Sequence, residues 1–239
     1  MSKLFAIAVP VTRGKEGDFK KFVDELNGRY YNDFVNSRKK LNVRERTFHQ
    51  KTPMGEFVIV TLEGDNPEQA FYDLGKGNDE FTKWLAQKVK DFHNIDITQP
   101  PPPEIMPKPA TDTNNPQTTG NTKLTAFFVP VVKGKETQWK EFLNDLNNRW
   151  KKEFNESRKR LNVRERVFTQ ETPEGSFTIV TLEGADPEKS MMEFGKGNDD
   201  FTAWFNQKAK EIHNYDMTQP PPFPLPELIV DSNKKLVKV

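Results

Sequence analysis

The chain has 239 residues, 36 of them basic and 35 acidic, and the net charge of +1 argues against a surface built for nucleic acid or anionic membrane. The absence of cysteine excludes disulfides, thiolate nucleophiles and cysteine-ligated metals. No apolar stretch approaches the roughly 20 residues of a membrane span, so we expect a cytoplasmic protein without nucleic-acid or membrane partners.

The chain contains nearly the same sequence twice. Residues Lys3–Pro102 align with Lys123–Pro222 without a gap, and about 57 of the 100 aligned pairs are identical. A constant register over this length predicts two copies of one folding unit. Each copy is long enough to bury a core of its own.

The first half of each copy predicts a strand, a helix and a hairpin. In copy one, Leu4–Val11 is a short apolar run that is typical of a buried strand. A stripe of apolar residues at helical spacing follows from about Gly17 to Phe34. Val43–Gln50 and Glu56–Glu63 are strand-like, and the connection with Pro and Gly between them predicts a hairpin.

The second half of each copy predicts a broken helix and a last strand. The helix begins at Asp65-Asn66-Pro67-Glu68, breaks at Gly75-Lys76-Gly77 and restarts after an Asn78 cap. Asn94–Thr98 could be the last strand. The order β-α-β-β-α-β is that of an α+β, ferredoxin-like unit. Such a sheet carries its helices on one face, so we expect the two sheets to pack together and one monomer to act as a pseudo-dimeric α/β barrel.

The chain then divides into four predicted segments. They are a ferredoxin-like repeat at 1–98, a Pro-rich linker at 99–121, a second repeat at 122–218 and a Pro-rich C-terminal tail at 219–239. Prolines followed by Thr, Asn and Gln are typical of a tether. In the tail, Leu228–Val230 and Leu236–Val239 could form a terminal hairpin or an edge strand.

These patterns resemble the dimeric α/β-barrel superfamily, which includes antibiotic-biosynthesis monooxygenases, haem-degrading monooxygenases, EthD-like proteins and chlorite dismutase-like proteins. The resemblance lies in the order of elements, the long first helix, the hairpin after Leu41-Asn42-Val43-Arg44-Glu45 and the aromatic last helix. It covers both repeats but not the linker or the tail. It implies ligand pockets between the sheet and the helices, while function follows from it only by analogy.

Two arginines on the second strand are the first candidates for a ligand site. Because side chains alternate along a strand, Arg44, Arg46, Phe48 and Gln50 share one face. Copy two repeats this face as Arg164, Arg166, Phe168 and Gln170. Two guanidiniums beside an aromatic ring could bind a carboxylate or a phosphate. The structural alternative is ion pairing with Glu45 or Glu63.

Lys76 and Lys196 lie in the repeated segment Gly-Lys-Gly-Asn-Asp. Backbone N–H groups before a helix can bind an anion, and the lysine would add charge. The glycine spacing and the Lys-Ser/Thr pair of a phosphate-binding loop are missing. A helix break with an Asn cap explains the same pattern.

Trp84 with His93, and Trp204 with His213, form the third candidate group. Haem-degrading members of the superfamily use an Asn, a Trp and a His. Here the Trp–His spacing is close to theirs without matching it, and the first strand lacks an Asn in both copies, which argues against haem. The chain has only three histidines, too few for a His-rich metal centre, so we expect no cofactor or metal. The tryptophans suit a core and the histidines a helix end, and a role as ligand or general base is the alternative.

Two functions remain open on this basis. The first is binding of a small anionic or carbonyl-bearing aromatic ligand, which the protein could transform without a tightly bound cofactor, with His93 or His213 as catalytic base. The predicted ligand-binding residues are Arg44, Arg46, Arg164, Arg166, Trp84, Trp204, Lys76 and Lys196. The second function is a non-catalytic scaffold whose linker and tail contact partners. Differences such as His49 to Thr169 and Met54 to Glu174 raise the question whether the halves are equivalent.

Overall fold

A computed structural model describes residues 2–115, 122–173, 175–221 and 223–236. The chain divides into two compact units, one formed by Met1–Met106 with Pro226–Val239 and one by Pro107–Leu225. Within the described residues, each unit contains four α-helices and one four-stranded antiparallel sheet. Each unit is therefore α+β, as expected for a ferredoxin-like half.

The first repeat and the segment after it contain four strands and four helices. In chain order these are β1 (Lys3–Pro10), α1 (Glu16–Asn27), α2 (Tyr31–Lys40), β2 (Val43–Thr52), β3 (Gly55–Gly64), α3 (Pro67–Asp73), α4 (Glu80–His93) and β4 (Lys108–Asp112). A short 3₁₀ helix, Pro103–Ile105, precedes β4.

The second repeat and the tail have the same order of elements. They are β5 (Lys123–Pro130), α5 (Glu136–Asn147), α6 (Lys151–Arg160), β6 (Val163–Thr172), β7 (Gly175–Gly184), α7 (Pro187–Glu193), α8 (Asp200–His213) and β8 (Glu227–Asp231). The 3₁₀ helix Phe194–Lys196 lies between α7 and α8.

Each sheet takes its fourth strand from the segment that follows the other repeat. The strand orders are β1-β3-β2-β8 and β4-β6-β7-β5. β8 pairs antiparallel with β2 and β4 pairs antiparallel with β6, and both pairings contain a register shift. Part of the segment predicted as a tether is therefore a strand, and part of the tail is an edge strand. Residues 116–121 and 237–239 lie outside the described residues.

The prediction of a last strand at Asn94–Thr98 was wrong. Asn94 ends α4 in the left-handed conformation with φ 55°, and a turn follows. In that turn, Asp96 accepts hydrogen bonds from the Thr98 amide at 3.0 Å and from its hydroxyl at 2.5 Å. A side chain that hydrogen-bonds to nearby backbone in this way favours a turn over a strand.

The helical predictions also need two corrections. The apolar stripe from Gly17 to Phe34 belongs to two helices, because the chain breaks between Asn27 and Tyr31. The cap of α4 is Asp79 instead of Asn78, since its carboxylate accepts a hydrogen bond from the Thr82 amide at 3.0 Å. A carboxylate at this position satisfies a free amide of the first turn.

Gly75 has a steric reason to be glycine. A Cβ atom on this residue would meet the Ile97 carbonyl, and one on Gly195 would meet the Met217 carbonyl. The chain after α4 thus runs directly against this glycine in both units. The repeated Gly-Lys-Gly segment is explained by close backbone packing.

The helices of each unit are short and cover one face of its sheet. The longest, α4 and α8, have 14 residues each. In the part of the chain that the structure describes, no helix has both the length and the apolar character that crossing a bilayer requires. The core of the first unit lies between α1, α2, α4 and the sheet, where Phe19, Phe22, Leu26, Phe34 and Val58 are buried together.

Candidate functional site

The first unit contains a cavity between its helices and its sheet. Its volume is about 100 Å³. The walls come from all four helices of the first repeat, its three strands, the segments after α3 and α4, and β8, and they are mostly Val, Ile, Leu and Phe side chains. Four residues with polar groups also line it: Arg38, Glu45, Thr47 and His93. The cavity is thus an apolar chamber with a small polar area.

Arg38, Glu45 and Thr47 form a buried hydrogen-bonded group on the cavity wall. Arg38 Nε donates to Glu45 Oε2 at 2.6 Å, and its Nη1 donates to Ser37 Oγ at 3.0 Å. Thr47 Oγ1 donates to Glu45 Oε1 at 2.9 Å. The Arg38 and Glu45 side chains are only 3% and 7% exposed, so each charge depends on the other to offset its desolvation.

A local feature of the chain brings this group together. Arg38 lies in the last turn of α2 and Glu45 near the start of β2. Asn42, at φ 54°, reverses the chain between them, a conformation that Asn adopts more readily than most residues. Strand alternation then places Glu45 and Thr47 on the face of β2 that faces the helices.

His93 lies at the end of α4 and joins the helix to β1. Its Nδ1 is 2.8 Å from the Pro10 carbonyl oxygen. A carbonyl can only accept, so Nδ1 carries the proton, and in the neutral ring Nε2 keeps a lone pair. Burial lowers the pKa of His93 more than the Pro10 hydrogen bond raises it, so the ring is neutral at pH 7.

His213 forms the same link in the second unit. Its Nδ1 is 2.9 Å from the Pro130 carbonyl oxygen. Burial lowers the pKa of His213 to about 4, against the opposing effect of this hydrogen bond. The shared arrangement gives both histidines a structural role at the junction of the last helix and the first strand.

Replacing both histidines should weaken the dependence of stability on pH. Between pH 6.5 and about 4, the unfolded chain protonates His213 while the folded chain does not, so the native state loses stability as the pH falls through this window. The expected loss from His213 between pH 7 and 5 is about 1 kcal/mol after allowance for partial exposure. Urea unfolding of the wild type and of a His93→Asn, His213→Asn variant at both pH values measures it. Equal losses in the two proteins would contradict the assignment.

The structure places the predicted arginines in ion pairs. Arg44 donates from Nε and Nη2 to the two carboxylate oxygens of Asp231, at 3.1 and 2.7 Å. Arg46 Nη2 donates to Glu63 at 2.5 Å. Asp231 belongs to β8, so the first of these pairs holds the edge strand in the sheet.

The second unit repeats these pairs closely. Arg164 donates to both carboxylate oxygens of Asp112 on β4, at 3.0 and 2.6 Å, and Arg166 donates to Glu183 at 2.6 Å. Burial alone would raise the pKa of the Asp112 carboxyl, but hydrogen bonds from Arg164 and from the Asn114 amide, together with the positive charge of Arg164, lower this pKa below its usual value. Each of the four arginines thus has a carboxylate partner.

Of the predicted tryptophans and lysines, Trp84 and Lys76 belong to the first unit, and neither is among the residues that line its cavity. Trp84 packs against Tyr30 with ring centroids 4.0 Å apart and ring planes tilted by 33°, among the aromatic residues of the helices. Trp204 packs similarly on Trp150 at 5.4 Å. Lys76 and Lys196 form exposed i,i+3 ion pairs with Asp73 and Glu193.

Sequence reasoning missed Arg38, Glu45 and Thr47 as wall residues. Arg38 and Glu45 are kept in copy two as Arg158 and Glu165, which was a signal that both copies form the same ion pair. Yet a basic residue in a last helical turn is common for other reasons. The pattern could not show that its side chain is buried.

No protein-family model matches the chain, and no curated protein matches it. Two solved structures are similar to it. One is a provisionally assigned monooxygenase from Fusobacterium nucleatum, 12% identical, with a TM-score of 0.49, covering 99% of this chain and 96% of the other. The second is an anthrone oxidase-like protein, 9% identical, with a TM-score of 0.45, covering 100% and 96%. At these levels, function has to be argued from the residues of the chain itself.

Proposed function

We propose that the first unit binds a small, uncharged organic molecule in the cavity between its sheet and its helices. The cavity itself supports this proposal, because its apolar walls surround a few converging polar groups. Ligand sites in proteins commonly combine these two properties. The polar groups would orient the ligand and the apolar walls would supply most of the affinity.

The charge of the cavity favours a neutral ligand over an anion. Of the described wall residues, Arg38 is the one cation at pH 7, and Glu45 already balances it at 2.6 Å. An anion would have to approach the Glu45 carboxylate as well. The anionic ligand expected from Arg44 and Arg46 is therefore less favoured, since both guanidiniums are engaged by carboxylates.

The volume of the cavity sets the size of the ligand. An apolar protein cavity of about 150 Å³ can hold benzene, and this one measures about 100 Å³. A molecule of one ring thus requires only small side-chain movements. Larger ligands of several rings would need the helices to separate from the sheet.

Chemical transformation of the ligand is a further part of the proposal. His93 lines the cavity, and its neutral ring keeps a lone pair on Nε2 while Nδ1 bonds to Pro10. Such a nitrogen can accept a proton from an acidic ligand hydroxyl. His213 would have this role only if its own unit also admits a ligand.

The scaffold alternative is weakened by the positions of its proposed contact segments. Lys108–Asp112 and Glu227–Asp231 are paired into sheets and so cannot serve as free docking strands. The sheet-to-sheet pairing of the repeats stays a prediction. So does the monomeric state, for which native mass spectrometry should give the chain mass of 27.7 kDa.

Titration with phenol tests the proposed cavity. Leu85 lines the cavity and corresponds to Phe205 in the second repeat, so the Leu85→Phe variant fills space with a residue that the fold already accepts. We expect phenol to raise the Tm of the wild type saturably, by the linkage of binding to stability. For the variant, the phenol concentration that produces a given rise in Tm should be at least about tenfold higher than for the wild type.

A matched control replaces a residue outside the walls. Tyr30 packs against Trp84 and corresponds to Trp150 in the second repeat. The Tyr30→Trp variant should therefore fold normally and show the same rise of Tm with phenol as the wild type. Equal responses of the wild type and Leu85→Phe would overturn the proposed site. A small mass that co-purifies with the wild type and is lost in Leu85→Phe would support it independently.

A further inference from the structure

The same arginine is held in the same way in both units. Arg158 Nε donates to Glu165 Oε2 at 2.6 Å and its Nη1 donates to Ser157 Oγ at 3.0 Å. These distances equal those of Arg38 to Glu45 and Ser37. In both units one phenylalanine of the preceding turn also lies against the guanidinium, at 4.8 Å for Phe34 and 4.9 Å for Phe154. The two guanidiniums therefore offer the same surface to their surroundings.

What covers that surface differs between the units. In the second unit, the rings of Phe194 and Phe205 lie 3.9 and 4.9 Å from the guanidinium carbon of Arg158. The corresponding residues of the first unit are Leu74 and Leu85, which line the cavity together with Arg38. Two aromatic rings are thus replaced by two smaller side chains beside the empty space.

The aromatic rings around the Arg158 guanidinium take the place of a missing hydrogen-bond partner. Its Nη2 is buried and has no hydrogen-bond partner among the described residues. A buried donor without a partner is unfavourable, but the face of an aromatic ring attracts a cation and its N–H groups. The rings of Phe194 and Phe205 therefore act as built-in partners of this guanidinium.

Two other cavity positions, Phe19 and Thr47, differ between the units in the same direction. Phe19, on the cavity wall, corresponds to Trp139, which is 1% exposed and donates from Nε1 to Thr178 Oγ1 at 2.7 Å. Thr47, a polar wall residue, corresponds to Val167. At these two positions the second unit has a larger or a less polar side chain, whereas the wall residues Val58 and Val89 correspond to the more polar Thr178 and the smaller Ala209.

From these differences we propose that the ligand of the first unit carries an aromatic ring that stacks on the Arg38 guanidinium. The ring would take the place that Phe194 and Phe205 occupy over Arg158, and the second unit would be a filled, structural counterpart. This inference rests on the proposed ligand cavity of the first unit. It adds the class of ligand and the residue that recognises it.

The chemistry of the guanidinium explains why a ring is preferred. Arginine has a flat, weakly hydrated group that stacks on aromatic faces, and the attraction is larger where water is excluded. The charge of Arg38 is already matched by Glu45 and Phe34 covers part of the guanidinium, so the ligand ring would stack on the part that Phe34 leaves uncovered. A saturated ring of the same size would gain only dispersion there.

Two probes and two reciprocal variants test the inference. The probes are benzene and cyclopentane, which is a saturated ring of similar size. The filled variant is Leu74→Phe with Leu85→Phe, and the opened variant is Phe194→Leu with Phe205→Leu. NMR spectra of ¹⁵N-labelled full-length protein follow the Nε–H signals of Arg38 and Arg158, which a stacked ring moves by its ring current.

We expect benzene to bind one site in the wild type and to shift the Arg38 signal. Cyclopentane should bind about tenfold more weakly, which is the range of a desolvated cation–π contact. The filled variant should lose benzene binding at Arg38. The opened variant should gain a second site that shifts the Arg158 signal.

The outcomes separate the two proposals. Equal binding of benzene and cyclopentane, both abolished in the filled variant, would retain the cavity and overturn stacking on Arg38. Benzene that binds the filled variant as well as the wild type would also overturn the inference. If neither these probes nor phenol bind the wild type, the proposed function fails with it. If the opened variant does not fold, the filled variant and the comparison of benzene with cyclopentane still decide whether a ring stacks on Arg38.

Discussion

A chain that ends at Leu225 is expected to lose the folded state of its first unit. The truncation removes β8, whose Val230 is 2% exposed in the core of that unit. It also removes Asp231, the partner of Arg44, and leaves β2 as an exposed edge. Burial of one such apolar side chain contributes about 1.5–3 kcal/mol, and the lost hydrogen bonds add to this.

Several of those hydrogen bonds end on buried groups. The Ser232 hydroxyl accepts from the Glu45 amide at 2.9 Å, and the Ser232 amide donates to the Glu45 carbonyl at 2.9 Å. Asn27 Nδ2 donates to the Ile229 carbonyl at 2.7 Å. Buried polar groups left without partners cost about 1–3 kcal/mol each, so the total approaches the whole stability of a domain, about 5–15 kcal/mol.

Hydrogen exchange measured by mass spectrometry checks this result unit by unit. Peptides from Val43–Thr52 should lose protection in the truncated chain, while peptides from Val163–Thr172 should keep most of theirs. A chain that ends at Leu236 retains β8 and serves as the control. Unchanged protection of Val43–Thr52 in the chain ending at Leu225 would show that β8 is dispensable.

The second large effect is expected from Arg38→Met. The substitution keeps a long apolar side chain but leaves the Glu45 carboxylate, 7% exposed, without its cation. Removal of one partner of a buried ion pair costs about 3–5 kcal/mol. We expect this loss in the free energy of unfolding measured with urea.

A double variant distinguishes loss of the pair from loss of packing. Replacing Glu45 by Leu in the Arg38→Met background removes the unpaired charge, so most of the stability should return. Arg158→Met is the matched control in the second unit, where the pair with Glu165 has the same 2.6 Å distance and the cost should be similar. A loss below about 1 kcal/mol in both single variants would contradict the buried-pair account.

Local patterns predicted the regular elements of the repeats well. The three strands expected in the first repeat begin and end within two residues of β1, β2 and β3. Alternation of side chains and turn residues are properties of neighbours along the chain, so they can be read without the fold. The hairpin at Pro53-Met54-Gly55 is of this kind, since Gly55 takes φ 131°.

The prediction of a ligand site on the Arg44 and Arg46 face of β2 rested on residue type, because the sequence pattern does not show which face of β2 borders the helices. Arg44 and Arg46 lie on one face, and Glu45 and Thr47 on the other. Both faces contain buried residues, since Arg46 and Glu45 are 3% and 6% exposed. Alternation identifies the core face only where the opposite face is polar and solvated, and here it is not.

Local sequence patterns also could not predict the fourth strand of each sheet. β8 pairs with β2, so Asp231 meets Arg44 across a separation of 187 residues. The one signal in the sequence was the similarity of Asp112-Thr113-Asn114 to Asp231-Ser232-Asn233. Its spacing is 119 residues instead of the 120 that relates the repeats, because the intervening segments differ by one residue, and so the constant register did not include it.

The sequence by itself determined that the chain has two similar copies and where most of their strands and helices lie, because these follow from repetition and local periodicity. Only the tertiary structure decided that the first unit has a chamber beside Arg38. A cavity is the volume left after many side chains pack, and substitutions such as Leu85 for Phe205 act through neighbours distant in sequence. The partner of each buried charge is decided in the same way, by which segments the fold brings into contact.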